Sequence, residues 1–132
     1  MRAVDTNVLV RYLVQDDAVQ GRKAAAFIEQ AAKTNEQILI GNIVLCEMVW
    51  VLDSAYGYAQ HEIIEGIDKL LQTSTFAFEN KDIVRAALEE FRTISKVDFS
   101  DCLIGRLHKA VGCEPTATFD TALRKLHTFR LL

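Results

Sequence analysis

A single proline, Pro115, leaves no room for a proline-rich linker, and the six glycines are scattered. There is no repeat and no low-complexity stretch. The 132 residues read as one domain, 1–132, long enough for a real core. Cysteine is scarce. Cys46, Cys102 and Cys113 are odd in number and form no C-x-x-C pair, so nothing here builds a disulfide framework. Their apolar neighbours mark them as core thiols in a reducing compartment. No run of about 20 apolar residues is present. Asp5 follows Met1 too closely for a basic region and an apolar signal core. Neither a membrane span nor a secretory signal is expected, and the chain reads as cytoplasmic. An excess of positive charge is also missing. Fifteen Lys and Arg stand against 18 Asp and Glu, a net charge of -3, which does not advertise a nucleic-acid binder.

The distribution of charge says more. From Arg92 onward there are seven basic residues and four acids, Asp98, Asp101, Glu114 and Asp120. A basic C-terminal third beside a set of acids is compatible with a polyanionic substrate, and equally with a solvated charged surface.

Strand and helix signals alternate along the chain. Met1 to Val4 is a short strand and Thr6 to Val14 a helix. Asp16 or Asp17 caps a second helix running through Lys33. Gln37 to Ile40 is a strand closed by Gly41, and Asn42 is expected to cap an oily helix that stops near Gly57. An amphipathic helix over Gln60–Gln72 precedes a strand at Thr75–Phe78, and Asn80 caps a helix through Ile94. Asp98 opens a helix ending at Gly112. A strand at Pro115–Phe119, a short helix at Asp120–Leu126 and a strand at Thr128–Leu132 finish the chain. Such alternation predicts a parallel sheet covered by helices on both faces. Sites in such sheets form beyond the carboxyl ends of the strands.

Within the oily helix stands one glutamate, Glu47, between Cys46 and Met48. A helix apolar on nearly all sides is expected to be buried, and a carboxylate there needs a partner. Three other acids sit where strands end or helices begin: Asp5, Asp101 and Asp120. Each has a plain reading as a helix cap or a first-turn acid; Glu47, in mid-helix, has only that of a boundary residue reaching water. Neighbouring strand ends lie about 4.8 Å apart. At about 5 Å and an effective dielectric near 20, each carboxylate pair costs on the order of 3 kcal/mol. Protonation, basic partners or a divalent cation relieve such crowding. Oxygen-only donors favour Mg²⁺ or Mn²⁺ over zinc.

Asp5-Thr6-Asn7 after the first strand, Glu47 in its apolar helix, Asp98 and Asp101 at one helix start, and Thr118-Phe119-Asp120 occur in this order. Together they resemble the PIN-domain ribonucleases, and among them the VapC toxins of bacterial toxin–antitoxin pairs. The resemblance covers the whole chain. It implies a single α/β domain of three α/β/α layers, with a mainly parallel central sheet of four or five strands. It implies that Asp5, Glu47, Asp101 and Asp120 form a site for Mg²⁺ or Mn²⁺. Thr6, Asn7 and Thr118 match polar supporting positions, and Asp98 is an extra ligand through water or only a cap. The implied activity is hydrolysis of RNA phosphodiester bonds. The implied partners are RNA, a cognate antitoxin and a second copy of the chain, with no membrane. Arg106, Lys109, Arg124 and Lys125 are candidates for RNA backbone contacts, against the plain reading of solvated helix faces. Leu9, Leu13 and Phe27 offer a docking surface or belong to the core. Gly105 stands where the family more often has alanine, a departure that concerns packing.

Two other readings stay open on the residues alone. One is a phosphoaspartate protein, a receiver domain or a phosphatase. Asp53 falls at a helix end rather than after a middle strand, and Asn7 occupies the place of the phosphatase's second aspartate. The other is a catalytically inert interaction module whose acids are caps.

Overall fold

The computed structural model describes all residues, 1–132. The chain folds as two compact units, Met1–Glu79 and Asn80–Leu132. The first contains β1 (Arg2–Ala3), α1 (Thr6–Val14), α2 (Ala18–Lys33), β2 (Ile38–Ile40), α3 (Asn42–Ser54), α4 (Gln60–Gln72) and β3 (Phe76–Phe78). The second contains α5 (Lys81–Thr93), α6 (Phe99–Ala110), β4 (Thr116–Thr118), a short 3-10 helix (Thr121–Lys125) and β5 (Phe129–Leu131). No helix is long and apolar enough to cross a membrane.

In the first unit the strands run in the order β1-β2-β3, all parallel. Parallel neighbours need a crossover of a dozen or more residues. The pairs α1–α2 and α3–α4 supply the two crossovers. Ile38, Ile40 and Phe76 are buried from the strands, with Leu9, Leu45, Ile67 and Leu70 from the helices. In the second unit β4 pairs with β5, again in parallel. Phe91 of α5 meets Phe99 of α6 edge to face, ring centroids 6.0 Å apart. The five strands thus divide three and two between separate ladders rather than joining in one.

Element ends follow local chemistry. The Asp17 carboxylate accepts the N–H groups of Val19 and Gln20 at 3.1 and 2.9 Å, opening α2. Gly57 and Gly112 lie just beyond α3 and α6 at φ of 64° and 98°, which glycine adopts at no steric cost. Gly105 has the packing reason its position suggested. A Cβ there would collide with the hydroxyl of Thr128 and come within 2.7 Å of Phe129 Cε2.

Two expectations fail, those for Asn42 and Cys113, and one open alternative, at Leu9, is decided. Asn42 is the first residue of α3 rather than its cap; Gly41 holds the cap position and makes no side-chain bond. Leu9 is fully buried, so of its two alternative readings the core role holds. Cys113 is exposed, because it follows Gly112 in the turn after α6.

Candidate active site

In the first unit, the pairing of Ala3 with Leu39 and of Ile40 with Phe78 aligns the carboxyl ends of three strands. Asp5, Gly41 with Asn42, and Glu79 follow those ends. Asp5 caps α1: its Oδ1 accepts the Val8 N–H at 3.2 Å, and no bond occupies Oδ2. Thr6 is half-buried and Asn7 exposed. Asp5 and Asn7 line a cleft of about 570 Å³ that runs along α2. Glu79 was not among the sequence candidates. Its Oε1 accepts the Asn42 backbone N–H at 2.9 Å and its Oε2 faces the Asn42 amide at 3.5 Å. A carboxylate from the third strand end therefore caps the helix after the second.

Glu47 overturns the reading that made it conspicuous. It is exposed, not buried. Helix α3 buries one stripe, Leu45, Met48 and Leu52, and turns the stripe of Ile43, Glu47 and Trp50 outward. Ile43 and Trp50 keep 75% and 69% exposure. An apolar composition therefore does not make this helix buried on all sides. Glu47 needs no internal partner, and it lies outside the cleft beside Asp5.

In the second unit, Asp98 holds the cap position of α6 without a capping bond, and Asp101 lies in the first turn. Asp120 caps the 3-10 helix, its Oδ1 accepting the Ala122 N–H at 2.9 Å, while its own N–H donates to Thr118 Oγ1 at 3.0 Å. Asp101 is half-buried. Its carboxyl is held above the usual aspartate range first by burial, then by the charges of Asp98 and Asp120. Two sequence-predicted acids thus act on a third here, with Thr118 positioning one of them.

The candidate basic residues fare differently. Arg106 turns inward, its Nε 3.0 Å from Glu90 Oε1. Lys109 Nζ donates to His127 Nε2 at 3.2 Å and Lys125 Nζ to the Ser95 carbonyl at 2.9 Å. Arg124 is exposed. The acid that is truly buried in this chain is Glu90, with 6% exposure. Sequence reasoning passed over it, although its spacing from Ile83 and Ala87 (i, i+4, i+7) continues the inward stripe of α5.

No group of three or more His, Cys, Asp or Glu side chains forms a ready-made metal cage. The donor chemistry still suits one kind of ion. Mg²⁺ keeps several waters and takes only one or two carboxylates from protein. Burial first, then the charges of Asp98 and Asp120, oppose the ionised Asp101, and a cation relieves that opposition.

A model of the PIN-domain family matches residues 2–127. The chain belongs to the PIN-domain family. The PIN match takes in Asp5, Glu47, Asp101 and Asp120 and reaches into both compact units. The resemblance drawn from the motifs therefore holds at the level of family and α/β fold. The chain is also similar to a VapC ribonuclease of Aquifex aeolicus (strain VF5). The two are 25% identical over 126 residues, covering 96% of this chain and 92% of that protein. No solved structure matches.

Proposed function

We propose that this PIN domain, its two units together, is a metal-dependent endoribonuclease and the toxin of a VapC-type toxin–antitoxin pair. Membership of the PIN family and similarity to a protein named VapC ribonuclease support the substrate class. The observation that carries the chemistry is Asp101, a carboxyl whose ionised form is opposed first by burial and then by the charges of Asp98 and Asp120. A hard cation is the natural relief of that opposition and the natural partner of a phosphodiester.

Asp5 and Asp101 are the direct ligands in this reading, and Glu47 and Asp120 complete the site directly or through water. Asp5 offers Oδ2, since Oδ1 is engaged by the Val8 N–H; Asp120 likewise has one oxygen engaged. Thr118 fixes the Asp120 backbone, Thr6 and Asn7 support Asp5, and Asp98 adds negative charge beside Asp101. When bound, Mg²⁺ or Mn²⁺ supplies charge neutralisation and an activated water. The water oxygen bonds to phosphorus as one P–O ester bond breaks, and the departing oxygen ends up protonated. Lys109, Arg124 and Lys125 are proposed to face the RNA backbone. A cognate antitoxin, a cytoplasmic location and a homodimer complete the reading. The exposed Ile43 and Trp50 offer apolar surface for a second copy.

The test is cleavage of RNA by the purified chain. Activity with Mn²⁺ or Mg²⁺ that stops with EDTA and is lost in Asp101→Asn is expected. An equally active Asp101→Asn, or a well-folded wild type inert toward several RNAs, would sink the proposal. The same assay separates a nuclease from a phosphatase and from an inert module.

A further inference from the structure

The cleft beside Asp5, about 570 Å³, falls within the roughly 300–1,000 Å³ usual for small-ligand sites. Gln20, Lys23 and Phe27 of α2 line it on one side, and Asp5 at the cap of α1 and Arg11 in its last turn line it too. We propose that this cleft is a nucleotide subsite for single-stranded RNA, in which Phe27 stacks on a base next to the scissile phosphate and Lys23 contacts the backbone. The inference rests on reading the chain as a ribonuclease.

Three observations carry it. The first is position. Asp5 belongs both to the proposed catalytic set and to the cleft wall, so a strand whose phosphate reaches Asp5 lays an adjoining nucleotide at the cleft. The second is charge. Arg11 is committed: its Nη1 donates to Asp16 Oδ1 and to Tyr56 Oη, each at 3.0 Å, and its Nε to Gln20 Oε1 at 2.7 Å. Lys23 is exposed and forms no ion pair, the one charged wall residue beyond Asp5 still uncommitted. An uncommitted cation on the cleft wall suits a phosphate backbone. The third is Phe27, an aromatic ring kept 36% exposed on the cleft wall. The Arg2 guanidinium lies 5.3 Å from its ring centroid and is itself held by two bonds to Glu36, at 3.2 and 3.3 Å. A fixed ring at the surface is what sequence-tolerant base stacking requires.

The experiment measures binding apart from cleavage. A short fluorescent single-stranded RNA is titrated in EDTA with wild type, Phe27→Ala, Phe27→Tyr, Lys23→Gln and Lys33→Gln. Lys33 is an exposed control at the far end of α2. Phe27→Ala is expected to weaken binding about tenfold and Phe27→Tyr to restore it. Lys23→Gln should reduce the slope of log affinity against log salt by about one, with Lys33→Gln unchanged. With Mn²⁺ the same Phe27→Ala and Lys23→Gln variants should raise KM while kcat stays within about twofold. Wild-type binding and KM in both Phe27→Ala and Lys23→Gln would overturn the subsite while leaving the nuclease reading intact. Unchanged RNA binding in Phe27→Ala together with lost binding of the antitoxin would assign the cleft to protein docking and also overturn it. A wild type that cleaves no RNA would defeat the nuclease reading instead, and the EDTA titration would still decide the subsite.

Discussion

Arg106 Nε lies 3.0 Å from Glu90 Oε1 between α5 and α6, and it balances that carboxylate's charge without completing a hydrogen bond to it. His127 Nδ1 stands 3.8 Å from the other oxygen. A buried pair of this kind adds little net stability, yet removing one partner strands the other charge at a cost of about 3–5 kcal/mol. Arg106→Met is expected near the lower end of that range, because the Arg106 side chain keeps 27% exposure. Glu90→Leu combined with Arg106→Met should recover most of the loss. Urea denaturation of the two single variants and the double variant checks this. Additive losses would show that the two residues are not coupled.

Asp101 makes a prediction with a definite sign. Its carboxyl is raised in the folded state by burial, then by Asp98 and Asp120. A raised carboxyl contributes stability that is full below its unfolded pKa and is lost as pH rises through the folded value. The window therefore opens at the ordinary aspartate value and closes at the raised one. Above that window the ionised Asp101 opposes folding in the metal-free protein. Asp101→Asn should raise the metal-free melting temperature at neutral pH, with the gain shrinking in acid. Calorimetry in EDTA across that span checks it. A lower melting temperature at neutral pH would mean that the ionised carboxylate holds the fold.

Glu79 gives α3 its start. Removing a capping acceptor costs about 0.5–2 kcal/mol, so Glu79→Ala should lose about 1 kcal/mol of unfolding free energy. Gly41→Ala would place a Cβ 2.8 Å from the same oxygen. It should therefore displace the cap, and its cost should largely vanish in the Glu79→Ala background. Undiminished cost there would locate the strain elsewhere.

The element plan was legible because apolar spacing and cap residues are local signals. Thr6–Val14 and Gln60–Gln72 appear with the bounds their patterns implied. What failed depends on surroundings. The apolar residues of α3 lie on both faces, so their spacing does not say which face is buried, and Glu47 was assigned to the wrong one. The Glu79 cap comes from 37 residues away, beyond any local pattern. Glu90 was legible and overlooked: its stripe is regular, but a second glutamate beside Glu89 reads as surface. The influence of Asp98 on Asp101 follows from their shared helix start. That of Asp120 on Asp101 requires the fold.

The cysteines should differ in reactivity. The Cys102 thiol is fully buried and pushed up to about 12, by burial first and then by Glu90 and Asp101. Burial also pushes up Cys46, while Cys113 is exposed. Since the thiolate is the nucleophile, iodoacetamide at mildly alkaline pH should label Cys113 first, Cys46 slowly and Cys102 only after denaturation. Peptide mass spectrometry reads the order. Native labelling of Cys102 at the rate of Cys113 would contradict its burial.

Glu47 carries the last prediction. A buried, unpaired glutamate would make Glu47→Gln strongly stabilising without metal, by removing a desolvated charge. An exposed one predicts almost nothing, because surface substitutions usually fall within about 0.5 kcal/mol. The outward stripe of Ile43, Glu47 and Trp50 commits to the second outcome. Metal-free unfolding of Glu47→Gln should match the wild type within that margin. Mn²⁺-dependent cleavage should still fall at least tenfold if the carboxylate helps hold the cation. Loss of cleavage without loss of stability is the signature of a residue kept for chemistry rather than for folding. Unchanged cleavage would remove Glu47 from the site and leave it a solvated residue on an apolar helix.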